Sequence, residues 1–494
     1  MTDAALATIA LSLVSHTNVG KTTLARTLLG RDIGEVRDEA HVTQSAERHV
    51  LVATDEGDRL ELWDTPGFGD SVRLARRLAQ SGNPIGWFLG EVWDRFRDRP
   101  FWLNQRALRH VLDASDVVLY LVNAAEAPDD VGYLDPELQV LTLIGKPVLV
   151  LLNQLGPPLE AEAELAELAR WRARLQRHAC VRDVLAFDAF ARCWVAEATL
   201  LRAVDGCLPA SRRPSFAALA TERRRAHLAT WHASMAVLAQ RLARAAADRE
   251  VIAQAGLSGR LKELGAALGW RREGSSTPKE QAMHALAERL DADVRRGTDR
   301  LIALHGLDGR AGQRVLTLLA EHYAAQRPLD ESKAAMLGGL LTGALAGLKA
   351  DIATGGLTLG GGLLAGGVLG ALGAAGLARG YNLLRGTEQP SLAWTDEVLD
   401  DLTTAAVLGY LAVAHHGRGR GEWAEADHPP FWDDAVRTAL APGRAGFHAA
   451  WAVAREAPTG VPALEARLQG LLTEAVGELL LALHPQTDPA DLAP

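Results

Sequence analysis

Residues 8–29 read TIALSLVSHTNVGKTTLARTLL and combine three patterns. The apolar run Ala7–Val14 has the length of a buried strand, and Thr22–Leu29 has the pattern of a helix. The loop between them matches GxxxxGK followed by Ser or Thr, with Ser15 in place of the first glycine. Such a loop surrounds phosphate groups with backbone N–H groups, so the segment predicts a phosphate-binding α/β domain.

The side chains of this loop have separate roles in a phosphate site. Lys21 supplies a cation that reaches the β- and γ-phosphates, and the hydroxyl of Thr22 can ligate Mg²⁺. The residues predicted to bind the nucleotide in this loop are Asn18, Val19, Gly20, Lys21, Thr22 and Thr23.

A second phosphate motif, Asp64-Thr65-Pro66-Gly67, follows the strand-like segment Arg59–Trp63. The carboxylate of Asp64 can hold Mg²⁺ through water, and Gly67 can offer its N–H to a γ-phosphate. Thr43 lies midway between Thr22 and Asp64, a reach that suits a switch loop closing on Mg²⁺. An ordinary loop threonine is the alternative. The predicted catalytic residues are Lys21, Thr43 and Gly67, and the predicted metal ligands are Thr22, Thr43 and Asp64.

Strand-like and helix-like runs alternate up to about residue 208. Further runs of strand length occur at His49–Thr54, Arg59–Trp63, Asp116–Asn123, Pro147–Leu152 and Val181–Phe187. This alternation predicts a doubly wound, mostly parallel sheet. The predicted fold is an α/β P-loop NTPase domain followed by a mainly α-helical domain with a Gly-rich apolar helical hairpin.

The predicted domains are an α/β domain at 1–208, a helical domain at 209–330, the hairpin at 331–386 and a helical segment at 387–494. An aromatic-rich insertion at about 69–112 either packs on its own domain or forms a nucleotide-sensitive surface for an unidentified protein partner. A heptad seam favours a helix packed inside the helical domain over an intermolecular coiled coil. Its residues are Leu228, Trp231, Met235, Leu238 and Leu242.

The two phosphate motifs resemble those of the Era-like branch of translation-factor-type GTPases, which read GxPNVGKS and DTPG. The resemblance covers about Ile9–Trp194 and implies Mg²⁺-dependent binding of GTP and GDP, and GTP hydrolysis. It places Lys21, Thr22, Thr43, Asp64 and Gly67 in the phosphate and magnesium roles. The whole chain is similar to bacterial GTPases with a long C-terminal domain of unknown function, through the segments TIALSLVSHTNVGKTTL, FDAFARCW and HHGRGRGEW.

Two positions depart from the GTPase pattern and affect catalysis. Phe68 stands where Ras-like enzymes place a water-orienting glutamine, so we expect slow intrinsic hydrolysis, stimulated by K⁺ or by a partner. In some relatives the asparagine that matches Asn18 coordinates K⁺. The alternative is that the Asn18 amide only braces the loop backbone.

The base-recognition motif is incomplete. The segment Asn153-Gln154-Leu155-Gly156 stands where the family reads NKxD, so Asn153 and Gln154 are predicted to contact the nucleotide while the base-binding aspartate is absent. Asp183 or Asp188 could replace this aspartate. GTP is the expected nucleotide, with ATP or relaxed nucleotide use as the alternative.

Residues 334–378 are apolar and rich in glycine, with only Lys349 and Asp351 charged. Glycines spaced by four allow close helix approach, and the run 352–378 is long enough to span a bilayer. The segment predicts a lipid-associated hairpin. Burial inside a soluble bundle is the alternative.

Composition limits the classes of function. The 494 residues carry a net charge of −9 and are 48% hydrophobic, which excludes wholesale disorder and argues against a DNA partner. Three cysteines without CxxC spacing predict neither a disulfide framework nor a cysteine zinc site, and His415-His416 shows no spacing typical of metal ligands. The expected location is cytoplasmic, in possible association with the inner face of the cytoplasmic membrane.

Four functions remain open from the sequence. The expected one is a GTP-dependent switch coupled to the helical, membrane-associated part. The alternatives are a dynamin-like membrane remodeller that assembles as a homo-oligomer, a nucleotide-binding scaffold without hydrolysis, and a ribosome-associated GTPase.

Overall fold

A computed structural model describes residues 6–30, 46–68, 71, 73, 75, 76, 108–155, 161–188, 193–252, 278–307, 381–384, 391–416, 431–456 and 460–493. Thr43, Gly156, the Gly-rich block at 334–378 and most of the predicted insertion lie outside these residues. Within them, no helix is long and apolar enough to cross a bilayer.

The chain forms two compact units. The first comprises Met1–Ala229, Ala414–Ala424 and Leu480–Pro494, and the second comprises Thr230–Val413 and Glu425–Leu479. The first unit therefore includes two short segments from the C-terminal half of the sequence.

In chain order the described elements are β1 (Thr8–Ser15), α1 (Lys21–Leu29), β2 (Glu47–Ala53), β3 (Arg59–Asp64), β4 (Val117–Asn123), α2 (Leu134–Ile144), β5 (Val148–Asn153), α3 (Ala161–Leu175), β6 (Val181–Ala186), α4 (Trp194–Cys207), α5 (Arg213–Ala247), β7 (Glu250–Val251), α6 (Pro278–Leu304), β8 (Tyr381–Leu384), β9 (Ser391–Trp394), α7 (Asp396–Ala414), α8 (Phe431–Leu440), α9 (Arg444–Glu456) and α10 (Val461–Leu483). A 3-10 turn at Pro489–Asp491 follows.

The first unit contains a six-stranded sheet in the order β2-β3-β1-β4-β5-β6. All neighbouring strands are parallel except β2 and β3, which are antiparallel. The chain leaves β1 toward β3 on one side and later reaches β4 on the other. The carboxyl end of β1 is therefore the switch point of the sheet, where α/β folds bind ligands.

Both faces of the sheet are covered by helices. Alternate residues of β4 contribute to opposite faces: Leu119 belongs to the core on one side and Tyr120 to the core on the other. The first core includes residues of α1, α4 and the start of α5, and the second includes residues of α2 and α3. This double burial explains why the strands read as nearly unbroken apolar runs.

In the second unit, the described residues form helices and a small antiparallel sheet in the order β7-β9-β8. A Cβ on Gly477 of α10 would lie 3.6 Å from the Trp231 ring of α5, so these two helices pack closely. The five residues of the predicted heptad seam are all buried, which fits packing within the chain.

The predicted fold class is confirmed: a mostly parallel α/β domain precedes a largely helical region. Strand bounds differ from the predicted ones by one or two residues. The small sheet was not predicted from the sequence, because strands of two to four residues lack a detectable apolar period.

Candidate nucleotide-binding site

The predicted site residues that the structure describes gather at the carboxyl edge of the parallel sheet. Ser15 ends β1, Asp64 ends β3 and Asn153 ends β5. In the register of the sheet, Leu13 lies opposite Asp64 and Asn123 lies opposite Asn153. One edge of the sheet thus brings together motifs that are far apart in the sequence.

The phosphate loop uses left-handed backbone conformations. Asn18 has a φ of 64° and Gly20, which precedes α1, has a φ of 94°. The Nδ2 of Asn153 donates to the carbonyl of Val19 at 2.7 Å, and a Cβ on Gly20 would lie only 2.8 Å from that same Nδ2. Asn153, predicted from the sequence as a nucleotide contact, therefore braces the loop.

Gly20→Ala is expected to weaken nucleotide binding, because the loop must distort to admit a side chain at a positive φ against Asn153. We expect a loss of about 1–3 kcal/mol, or about 5- to 150-fold in affinity. Fluorescent-nucleotide titration measures this, with Gly132→Ala, where a Cβ meets nothing within 4 Å, as the control. Equal affinity for the two variants would contradict the account.

Lys21 is buried beside both phosphate motifs. Its Nζ donates to the Ser15 hydroxyl at 3.0 Å, and a Cβ on Gly67 would lie 2.9 Å from that Nζ. Ser15, the departure from the usual glycine, thus provides an acceptor for the ammonium. Burial lowers the pKa of Lys21, while the nearby carboxylates of Asp64 and Glu137 raise it. A bound phosphate would supply the negative charge that this buried cation needs.

Thr22 and Asp64 form a second hydrogen-bonded pair at this edge of the sheet. The Thr22 hydroxyl donates to Asp64 Oδ2 at 2.6 Å, and burial raises the pKa of Asp64 above its usual range. The other oxygen, Oδ1, is buried and has no hydrogen-bond partner among the described residues. A hydroxyl beside an unsatisfied carboxylate oxygen is a donor set that fits Mg²⁺.

Phe68 has a structural role. Its side chain is only 1% exposed and belongs to the core beneath the sheet. Its N–H donates to the Ser15 carbonyl at 2.9 Å, and its carbonyl accepts from the Thr17 N–H at 3.3 Å. The residue after Gly67 therefore joins the two phosphate motifs through its backbone and presents no polar side chain to water.

The structure distinguishes the two candidates for the missing base-binding carboxylate. Asp188 follows β6 and accepts from the Leu155 N–H at 2.9 Å, beside Gln154 with its φ of 59°. Asp183 lies opposite Leu149 within the sheet and pairs with Arg172 at 3.1 Å. Only Asp188 lies at the edge that carries the phosphate loop.

The remaining predicted residues have different positions. Asn18 is exposed at the loop tip, while Val19 and Thr23 are buried. Thr43 lies outside the described residues, so its catalytic and metal roles stay predictions.

A buried network beneath the loop was not predicted from the sequence. His16 Nδ1 lies 2.7 Å from Glu137 Oε1, and the Tyr120 hydroxyl donates to Glu137 Oε2 at 2.7 Å. The His16 ring stacks on Tyr133 at 4.4 Å. Burial raises the pKa of Glu137, and the hydrogen bonds from its partners oppose that shift. No motif marks Tyr120, Tyr133 or Glu137, because α2 brings Glu137 to the loop only in the folded chain.

The N-terminal part of the chain is similar to a family of GTPases. Residues 10–154 match the model of the family described as 50S ribosome-binding GTPase. The matched segment contains both phosphate motifs and Asn153, and the N-terminal domain has the fold of the P-loop GTPases. No curated protein matches the chain.

Solved structures give weaker likenesses. Era of Aquifex aeolicus, bound to GDP and AlF4⁻, is 18% identical, with a match over 41% of this chain and 58% of that chain and a TM-score of 0.30. A bacterial dynamin pair, described as sensing and tethering membranes, is 10% identical over 98% of this chain and 70% of that chain, with a TM-score of 0.21.

Proposed function

We propose that this chain binds GTP with Mg²⁺, hydrolyses it slowly and acts as a nucleotide switch. The observation that carries the proposal is the convergence of Lys21, Thr22, Asp64 and Gly67 at the switch point of a P-loop GTPase fold. A buried cation, an unsatisfied carboxylate oxygen and a glycine without room for a side chain are the parts that a triphosphate requires.

In the proposed reaction, water attacks the γ-phosphorus. A bond forms between the water oxygen and phosphorus, the bond to the β–γ bridging oxygen breaks, and GDP, inorganic phosphate and a proton result. Lys21 and the loop N–H groups hold the charge that develops on the phosphate oxygens. Mg²⁺, held by Thr22 and Asp64, would neutralise further phosphate charge when bound.

We propose that GTP hydrolysis is slow because of Phe68. Because its ring is buried in the core, it cannot orient the attacking water as a glutamine does. Asn18, exposed at the loop tip, is the proposed contact for K⁺. We expect GTP turnover to be faster in KCl than in NaCl.

Coupling to the helical region is proposed through α5. Arg223 of α5 donates to the Leu28 carbonyl at the end of α1 at 2.6 Å and pairs with Glu197 of α4 at 2.6 Å. The same helix continues past residue 229, where the second unit begins. A shift of α1 on nucleotide binding would therefore reach α5 directly. Membrane association through 334–378 stays a prediction.

The proposed hydrolysis is tested by multiple-turnover release of phosphate from GTP and from ATP with Mg²⁺. We expect several turnovers per chain with GTP and fewer with ATP. Binding of GTP without any turnover would contradict hydrolysis and favour a scaffold. Equal turnover in KCl and NaCl would contradict the K⁺ role alone.

Guanine preference is expected to depend on Asp188. Its carboxylate would accept from guanine N1 and N2, so Asp188→Asn should weaken GTP binding by about tenfold and leave ATP binding nearly unchanged. Competition titrations with GTP, ITP and ATP measure this. Asp183→Asn, in the same strand region but away from the edge, is the matched control. An equal loss for GTP and ATP would show that Asp188 only supports the Leu155 backbone.

A further inference from the structure

Three metal-ligand side chains that are distant in the sequence meet in the first compact unit. They are Cys193, His415 and His484, with one ligand atom from each lying within 4.8 Å of the other two. Cys193 is the N-cap residue of α4, His415 follows the last residue of α7, and His484 follows the last residue of α10. Their spacing in the sequence predicted no metal site, so this meeting is a property of the fold.

The geometry of the two histidines suits a shared cation. Their Nε2 atoms are 3.0 Å apart and their rings are stacked at 5.2 Å with 14° between planes. Two nitrogens bound to a tetrahedral zinc at about 2.0–2.1 Å lie about 3.3 Å apart, so a small adjustment admits the metal.

The cysteine completes a donor set of thiolate and imidazole. Cys193 is 1% exposed and forms no disulfide. A thiolate with two imidazoles favours Zn²⁺ over Mg²⁺ or Ca²⁺, which prefer oxygen ligands.

We propose that Cys193, His415 and His484 bind one zinc-class divalent cation that holds two C-terminal segments to the start of α4. Among the described residues the group has three side chains, which leaves the fourth tetrahedral position to water. The near-complete burial of Cys193 favours a structural site over one that acts on a substrate. The proposal does not depend on nucleotide binding.

Cobalt and zinc titrations of the full chain, stripped with a chelator, test the site. We expect one Co²⁺ per chain with a thiolate-to-cobalt charge-transfer band in the near ultraviolet, displaced by Zn²⁺. Cys193→Ser should abolish the band, and His484→Gln should weaken metal binding at least tenfold. Cys207→Ser, on the same helix and only partly exposed, is the matched control. It should keep the charge-transfer band and the wild-type affinity for the metal.

Thermal unfolding provides the second readout. Zn²⁺ should raise the Tm of the wild-type chain and of Cys207→Ser, because a ligand that binds only the folded state stabilises it. It should not raise the Tm of His484→Gln. A wild-type chain that binds Co²⁺ without the charge-transfer band, or that retains no zinc, would overturn the proposal even if Cys193→Ser does not fold. Each readout is made without nucleotide, so failure here leaves the proposed GTPase function untouched.

Discussion

Lys21→Met is expected to lower GTP turnover by about 10²–10³-fold. The substitution removes the one side-chain cation in the described phosphate loop that can stabilise the charge developing on the γ-phosphate oxygens. GTP affinity should fall by about 10- to 100-fold, the range for a lost hydrogen bond to a charged group. Methionine is nearly the same length as lysine and is apolar, so it suits a side chain that is 8% exposed. Phosphate release and nucleotide titration measure the two effects.

The control separates loss of function from loss of fold. Lys146 precedes β5 at the opposite edge of the sheet, so Lys146→Met should leave turnover and affinity unchanged. The Tm of Lys21→Met without nucleotide should not fall, because burial already disfavours the ammonium. A Lys21→Met protein that is folded and still hydrolyses GTP at the wild-type rate would rule out the assigned role.

Asp64→Asn is expected to abolish the dependence of GTP binding on Mg²⁺ and to reduce turnover by about 10²-fold or more. The neutral amide can still accept from Thr22 but offers the metal no charge. Since burial raises the pKa of Asp64, its ionised form is disfavoured in the folded chain. The nucleotide-free variant should therefore unfold at the wild-type Tm or above it, although its function is lost. Mg²⁺ titrations of GTP binding and thermal unfolding measure the two outcomes.

The raised pKa of Asp64 also makes the stability of the nucleotide-free protein depend on pH. Relative to the unfolded chain, folded Asp64 retains its proton to higher pH, so its contribution to stability is present at low pH and is lost as pH rises through the folded pKa. Asp64→Asn should remove this slope from the nucleotide-free protein. Asp55→Asn, in the exposed turn between β2 and β3, is the control. A lower Tm for Asp64→Asn than for this control would show that the carboxylate stabilises the fold.

The sequence was sufficient for the sheet because burial on both faces produces apolar runs that no other element explains as well. The run at Pro147–Leu152 became β5, and the motif at its end placed Asn153 at the correct edge. The phosphate motifs carry their geometry locally, since Gly20 and Gly67 mark positions where a side chain has no room. These signals depend on neighbours in the sequence.

Contacts between distant segments could not be predicted from one sequence. The hydrogen bond from Leu155 to Asp188 joins the ends of two strands and, with the position of Asp183 inside the sheet, distinguishes Asp188 from Asp183. The His16–Glu137 contact and the meeting of Cys193 with His415 and His484 depend on the packing of whole helices. The strands of the small sheet are too short to show a period, and β7 pairs with β9 from a distant part of the sequence.

Calorimetric titration of the full chain with GTP, in the presence and absence of Mg²⁺, tests the central claim that Lys21 and Thr22 hold the terminal phosphates of a nucleotide. We expect one site per chain, tighter with Mg²⁺ than with a chelator, and a large loss of affinity in Lys21→Met. Absence of detectable binding of GTP, GDP and ATP to the folded wild-type chain with Mg²⁺ would contradict the claim.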